Sequence, residues 1–315
     1  MFKKILFGGT CLFASIIFIL NPCLAGPGST GANFLKLGVG ARPVGMGEAF
    51  CGVADDLNSL YWNPAGLNSI KDKKEVTFMH NIWFEGINYS YLAYGQRMKD
   101  FGVLGGSFSF VGYGNIPRTK EDNAGDYAGE DGSFTASDIS FNISYAEKIM
   151  GECDLGVGLN IISSKIENYS AFAFYFNIGL LYQVKKVKGL SLGFAIQNLG
   201  TSLKFIEKDS PLPLNFKFGA GYKVYSDKNN SILTALDVNV PIDNKINLNI
   251  GGEYWFKDML AVRIGYKTLI VSELGGLAGL SAGLGFKWQD YNLDYAFVPY
   301  GDLGSTHRIS ISAKF

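Results

Sequence analysis

From Glu75 to the end of the chain, apolar residues recur at every second position. Leu214, Phe216, Phe218, Ala220, Tyr222 and Val224 share one parity, and Asn215, Lys217, Gly219, Gly221 and Lys223 the other. Ala278 to Trp288 repeats the arrangement, with Leu280, Ala282, Leu284 and Phe286 against Ser281, Gly283, Gly285 and Lys287. Strict alternation is the mark of a strand with one apolar face and one polar or small face. Fourteen such strands are expected, beginning near 75, 86, 100, 134, 152, 170, 188, 212, 230, 245, 258, 278, 290 and 305. Many run to about 10 residues or more, long enough to cross a bilayer at a tilt, whereas soluble strands usually stop at about 5–6. The predicted fold is all-β: an antiparallel transmembrane barrel, its even strand count bringing both ends of the wall to one side.

The connections carry separate information. Met98-Lys99-Asp100, Met150-Gly151-Glu152, Ser226 to Asn230, Phe256-Lys257-Asp258 and Gln289-Asp290 are short, whereas Tyr113–Ser133, Gly200–Pro211, Thr268–Gly276 and Pro299–Ser305 are long. Short periplasmic turns alternating with long outside loops are a property of outer-membrane barrels. A soluble β-sandwich gives no reason for that rhythm. Ile309, Ile311, Ala313 and Phe315 alternate with Arg308, Ser310, Ser312 and Lys314 in the last strand. An alternating strand closed by an aromatic resembles the C-terminal signal read by the outer-membrane assembly machinery, with Ile309, Ile311 and Phe315 as its residues.

Composition agrees. Aromatic residues make up 14% of the chain and there are 40 glycines; a barrel uses the first at its two membrane interfaces and the second for turns and close packing. The 28 basic and 28 acidic side chains balance, so nothing points to a nucleic-acid partner. Residues 1–25 read as a signal peptide: Lys3 and Lys4, an apolar run from Ile5 to Leu20, and Cys23-Leu24-Ala25 before the cleavage point. Its removal takes Cys11 and Cys23 with it. Cys51 and Cys153 remain, and two cysteines in distant segments do not by themselves establish a bridge.

Residues 26–74 do not alternate. They are expected to form a plug in the lumen of a barrel spanning 75–315, since irregular backbone at membrane depth is tolerated where protein or water surrounds it. Asp55-Asp56 is placed to cap a short helix over Leu57–Tyr61, and Asn63-Pro64-Ala65-Gly66 to end it. The run Gly31 to Gly66 (GANFLKLGVGARPVGMGEAFCGVADDLNSLYWNPAG) resembles the opening of PorV/PorQ-family outer-membrane proteins, a group similar to the FadL-type transporters of hydrophobic compounds, which share the Asn-Pro-Ala turn. Pro211-Leu212-Pro213 and the closing run Tyr295–Phe315 fit the same family, with Cys51 and Pro43 as departures from its pattern.

Candidate plug and lumen residues are Arg42, Asp55, Asp56, Asn63, Pro64 and Ala65. The Asn-Pro-Ala turn could position a ligand or simply fix plug to wall. Asp55 and Asp56 could ion-pair with Arg42, Arg308 or Lys314, or merely cap a helix. Candidate loop residues for a ligand or partner are Trp83, Phe84, Leu269, Ile270, Val271 and Leu274, apolar side chains that an outside loop has little reason to carry. Glu121, Asp122, Asp126, Glu130 and Asp131 do not follow an EF-hand spacing and read as a solvated loop. Gly38-Val39-Gly40 and Gly112-Tyr113-Gly114 complete no phosphate loop. His80 and His307 are the two histidines, both on the apolar parity, so no catalytic set, metal or cofactor is expected.

The resemblance implies an outer-membrane accessory or shuttle of type IX-like secretion, with secreted cargo or secretion components as partners. The alternatives are a FadL-like transporter of long-chain fatty acids or other hydrophobic small molecules, and a structural barrel surrounded by outer-membrane lipid.

Overall fold

A computed structural model describes residues 26–70, 74–99, 101–269 and 278–315. The strands of the wall are β1 (Lys74–Ile82), β2 (Asn88–Arg97), β3 (Val103–Glu121), β4 (Tyr127–Met150), β5 (Cys153–Ile166), β6 (Tyr169–Gln183), β7 (Leu190–Gly200), β8 (Asn215–Ser226), β9 (Ser231–Pro241), β10 (Asn247–Phe256), β11 (Leu260–Lys267), β12 (Leu280–Trp288), β13 (Tyr291–Pro299) and β14 (Ser305–Lys314), and a separate two-stranded pairing joins Leu203–Lys204 to Asp209–Ser210. Each pairs antiparallel with its neighbour in chain order, and β14 returns to β1, closing the barrel. The seam places Glu75 opposite Lys314 and Ile82 opposite His307. Phe315 extends it, exchanging backbone hydrogen bonds with Lys74 at 2.7 and 2.9 Å. Closure leaves no strand edge to be satisfied by lipid. The fourteen wall strands agree with the alternation, and every start except that of β4 falls within about three residues of the expected one.

The two parities separate as the barrel requires. Phe78, Leu92, Phe141, Phe172, Ile264 and Leu284 point outward and are exposed, forming an apolar belt. Tyr94, Tyr145, Tyr182, Tyr222, Tyr254 and Trp288 add exposed rings near the short-turn end, where an amphipathic ring suits the interface between lipid and water. That end is tied off locally. Asp227 accepts the backbone N–H of Asn229 and Asn230 at 2.7 and 2.5 Å, and the Tyr225 hydroxyl together with these amides holds its carboxyl down to about 2. Lys257 and Asp258 both take positive φ, 54° and 50°, as the two central residues of a tight hairpin turn require.

One expectation is corrected. Tyr113–Ser133 is not an irregular loop. β3 and β4 continue past the wall as a paired arm, Asn115 opposite Thr135 and Glu121 opposite Tyr127, and only residues 122–126 turn. Register shifts between Gly112 and Asn115 and between Pro117 and Glu121 break the two-residue period, and that hid the arm from a reading by alternation.

Residues 26–70 contact the inner wall on all sides. Four short helical turns, Asn33–Lys36, Ala41–Gly45, Ser59–Trp62 and Pro64–Ser69, are joined by irregular chain. Pro43 lies in the first turn of its helix, where a missing N–H breaks no intrahelical bond. The wall accommodates this segment through inward glycines. A Cβ at Gly179 would overlap the Asn63 side chain, one at Gly156 the Pro64–Ala65 backbone, and one at Gly193 the Cys51 carbonyl. Conversely, a Cβ at Gly52 would lie 2.8 Å from the Ala220 backbone. An apolar cluster that includes Phe34, Leu57, Leu60, Leu67 and Ile70 fills the side toward β1–β6.

These contacts generate a test. Gly179→Val is expected to dislodge the Asn63 turn while leaving the barrel closed. Protease cleavage within residues 26–70 should rise at least tenfold, with unchanged heat-modifiable mobility of the barrel on gels. Unchanged cleavage would show that the glycine row does not hold the segment.

Candidate functional site

The segment inside the barrel is fixed by polar anchors as well as by shape. Arg42 projects from the helix Ala41–Gly45 into a cluster of carboxylates. It meets Asp55 at 2.5 Å, Asp56 at 2.9 Å and Glu253 of β10 at 2.9 Å. Glu253 also takes Arg263 of β11 at 2.7 Å, and Arg263 reaches Asp294 of β13 at 2.6 Å. The charges thus form one connected network from plug to wall. Glu253 and Arg263 are almost fully buried, so each depends on the others for its solvation. Asp56 also accepts the Asn58 backbone N–H at 2.8 Å, just before the helix Ser59–Trp62, which starts two residues later than the sequence suggested. Lys314 pairs with Glu75 instead, at 3.7 Å, and Arg308 is buried in the wall.

A second anchor is Asp237 of β9, whose carboxylate accepts the backbone N–H groups of Phe50 and Cys51, both at 2.9 Å. Asn63 is the third and is fully buried. Its amide donates to the Cys51 carbonyl at 2.9 Å and to the Leu180 carbonyl of β6 at 3.0 Å, and its oxygen accepts Ala65 N–H at 3.2 Å. Asn63, Pro64 and Ala65 therefore join plug to wall, packed against glycines. Cys51 and Cys153 are both free thiols. The fourth anchor is the ion pair of Glu48 with Lys267 of β11 at 2.8 Å. Burial alone would raise the Glu48 pKa, but the Lys267 ammonium outweighs it and holds the carboxyl below its usual range.

Around these anchors the lumen opens at both ends. Toward the short-turn end lie two spaces of about 660 and 540 Å³, one beside Gly52–Asp55 and β8, the other beneath Arg42 and Glu253. Toward the long-connection end lies a cavity of about 290 Å³. Two of the loop candidates, Trp83 and Leu269, line it. Phe84 stands edge-on to Trp83 at 5.3 Å between ring centres, and Tyr300 stacks on Trp83 at 5.9 Å. The Asn and Gln side chains that line this cavity were not singled out by the sequence. Most of them sit on strands, where nothing in the alternation distinguishes a pocket from an ordinary lumen. Ile270, Val271, Leu274 and residues 1–25 lie outside the described residues. Against the apolar cluster, the cavity lined by Phe34, Leu35, Tyr89, Tyr91 and Tyr175 measures only about 20 Å³.

His80 and His307 face outward, His80 on the Ser90 hydroxyl at 3.0 Å and His307 on the Tyr295 hydroxyl at 2.7 Å. Among the described residues no group of three or more His, Cys, Asp or Glu side chains is placed to hold a metal ion. The acidic residues of the β3–β4 arm are dispersed along it, with Asp131 paired to Lys120 at 3.0 Å.

A family model described as type IX secretion system protein PorV matches residues 28–244. No curated protein matches the chain. Among solved structures, the chain is similar to the Pseudomonas putida toluene transporter TodX, with a TM-score of 0.62, 12% identity, and 88% of this chain and 99% of that one covered. It is also similar to the Ralstonia pickettii toluene transporter TbuX, with a TM-score of 0.57, 11% identity and coverages of 88% and 97%. A Pseudomonas aeruginosa FadL homologue gives a TM-score of 0.52 and 13% identity over 88% and 98%. At these identities the similarity is one of fold, an outer-membrane barrel of the FadL-like kind.

Two measurements test the anchors. Glu253→Gln leaves Arg263 and Arg42 buried with a carboxylate missing, a loss of about 3–5 kcal/mol for a buried pair. Hydrogen exchange over residues 41–56 should accelerate strongly while the strands stay protected. The Glu48 contribution has a defined sign. Its pKa is lowered in the fold, so its stabilisation is complete above the ordinary Glu range and fades as pH falls through its folded value. Thermal midpoints of wild type and Glu48→Gln should therefore differ most at neutral pH and converge on acidification. A constant gap would refute the ion pair as its source.

Proposed function

The chain belongs to the PorV family of type IX secretion system proteins, and from that premise we propose that it is an outer-membrane accessory of protein secretion, holding or passing secreted cargo at the cell surface. The family match across the plug segment and the first nine strands carries this reading. In it, residues 1–25 export the chain and are removed, 26–74 plug the lumen and 75–315 form the wall. Ile309, Ile311 and Phe315 serve as the assembly signal. The anchors favour a fixed plug, so partners are met by what projects from the barrel. Among the described residues the β3–β4 arm supplies the longest projection, and Trp83 and Leu269 share the cavity at the long-connection end.

The second reading is transport of a hydrophobic compound, and the barrel shared with toluene transporters is the observation in its favour. The lumen argues against it. The apolar cluster beside the plug leaves a described cavity of only about 20 Å³, and the space beneath Arg42 and Glu253 is lined mainly by charged and polar side chains. An apolar solute would have to displace a plug held by a buried ionic network.

Removal of residues 115–135, with a two-residue turn in their place, separates the readings. In a strain lacking the native gene, the shortened barrel should reach the outer membrane and keep its heat-modifiable mobility. Secreted cargo should fall at least tenfold, and cargo should no longer co-purify with the barrel. Normal secretion by the shortened or the absent barrel, together with lost uptake of labelled toluene or oleate in its absence, would overturn the proposal in favour of transport.

A further inference from the structure

The cavity at the long-connection end is rich in amides and aromatic rings. Its lining contains six asparagines and Gln197, together with Tyr61, Trp62, Trp83 and Tyr300. The charged groups in it are already compensated. Lys36 pairs with Asp243 and Lys267 with Glu48, while Lys217 has Asp237 at 3.5 Å, donates to the Glu48 carbonyl at 3.1 Å and lies 4.4 Å over the Trp62 ring. A charged ligand would therefore find no free counter-charge among the described lining residues, only pairs it would have to break.

The amides are interlocked: Gln197 donates to the Tyr61 carbonyl at 2.8 Å, Asn215 to Gln197 at 3.1 Å, Asn239 to Asn247 at 2.9 Å and Asn249 to the Glu48 carbonyl at 3.3 Å. Each amide so engaged keeps further donor or acceptor capacity. Two polar atoms in this wall are buried and have no hydrogen-bond partner among the described residues, the acceptor Asn215 Oδ1 and the donor Trp83 Nε1. An unmet buried polar atom costs stability, but both are covered by neighbouring groups, so the polar partners open to a ligand are the remaining amide groups of the lining.

A neutral cavity that offers fixed amide donors and acceptors beside flat aromatic faces matches one ligand chemistry. A sugar ring is uncharged, carries hydroxyls that both donate and accept, and presents a C–H face that packs on an aromatic ring. We propose that this cavity is a saccharide site, with the amides of Asn239, Asn247, Asn249 and Gln197 as hydroxyl partners and the Trp83–Tyr300 pair as the stacking platform at its mouth. The volume of about 290 Å³ stands at the small end of ligand pockets, which span about 300–1,000 Å³; it suits one or two rings. The ligand is then a free mono- or disaccharide, or the terminal unit of a glycan chain entering from the cell surface. This inference stands apart from the secretion reading, because it concerns the pocket and not the arm.

Saturation-transfer NMR on the full-length barrel in detergent tests it, with methyl glucoside, methyl galactoside, N-acetylglucosamine, maltose and dextran as probes. At least one neutral saccharide should bind saturably. Binding of dextran as well as maltose identifies a chain end as the ligand, whereas binding of small sugars alone identifies a free one. Trp83→Ala should weaken binding about tenfold or more, the value of an aromatic platform. Trp83→Phe, which keeps a smaller ring, should weaken it about threefold. Both variants must retain heat-modifiable mobility. If every one of these saccharides fails to bind, or binds equally to wild type and both variants, the proposal fails. Tighter saturable binding of galacturonate, or displacement of the sugar by an oligo-alanine peptide, would also overturn it in favour of a charged or peptidic ligand.

Discussion

Closure of the backbone ladder is the constraint on which the rest depends. In a bilayer no strand edge can be left for water to satisfy, so β1 must find β14. Lys74 and Phe315 complete that pairing at the short-turn end. Once the sheet is closed, one parity of every strand is committed to lipid and the other to a lumen of fixed width. The outward set becomes the apolar belt with its aromatic ring. The inward set is free to carry glycine, amide and charge, and those three chemistries account for how the interior is organised.

Glycine permits contact and charge fixes it. Where plug backbone meets wall backbone, as at Gly156 beside Pro64 and Ala65 or Gly193 beside Cys51, no side chain could intervene. Where the plug must be held at a particular height, carboxylates and guanidiniums do so, with Arg42, Glu253, Arg263 and Asp294 forming one chain of contacts. The described lumen thus divides between directional polar contacts on one side and a packed apolar cluster on the other.

Much of this was legible in the residues, for physical reasons. A two-residue period marks a strand whichever protein carries it, so Leu214–Val224 and Ala278–Trp288 announced themselves. The β3–β4 arm did not, because bulges at Asn115 and Thr119 shift the parity and no buried face enforces it beyond the membrane. Arg42, Asp55 and Asp56 stood out as charges in a glycine-rich run, and the structure brings all three together. Glu253, Arg263 and Asp294 did not stand out, since a charge on the lumen parity of a barrel strand is ordinary until its partner is known. The same holds for Asn215 and Asn239: their alternation reveals which way they point, not what they meet across the lumen.

The course of the plug has a consequence for how the molecule is put together. Gly31 hydrogen-bonds to Pro211 at the long-connection end, whereas Ile70 receives Arg97 at the short-turn end. The segment between them therefore runs the length of the cylinder, touching the wall on every side. A finished cylinder admits such a strip of chain only end-first, past glycine contacts that leave no clearance. Wrapping the sheet around the strip avoids that passage, and the seam between β1 and β14 is where the wrap would end. In this order the plug acts as a mandrel: it is the inner form against which the width and register of the wall are set, and the last pairing to form seals it in.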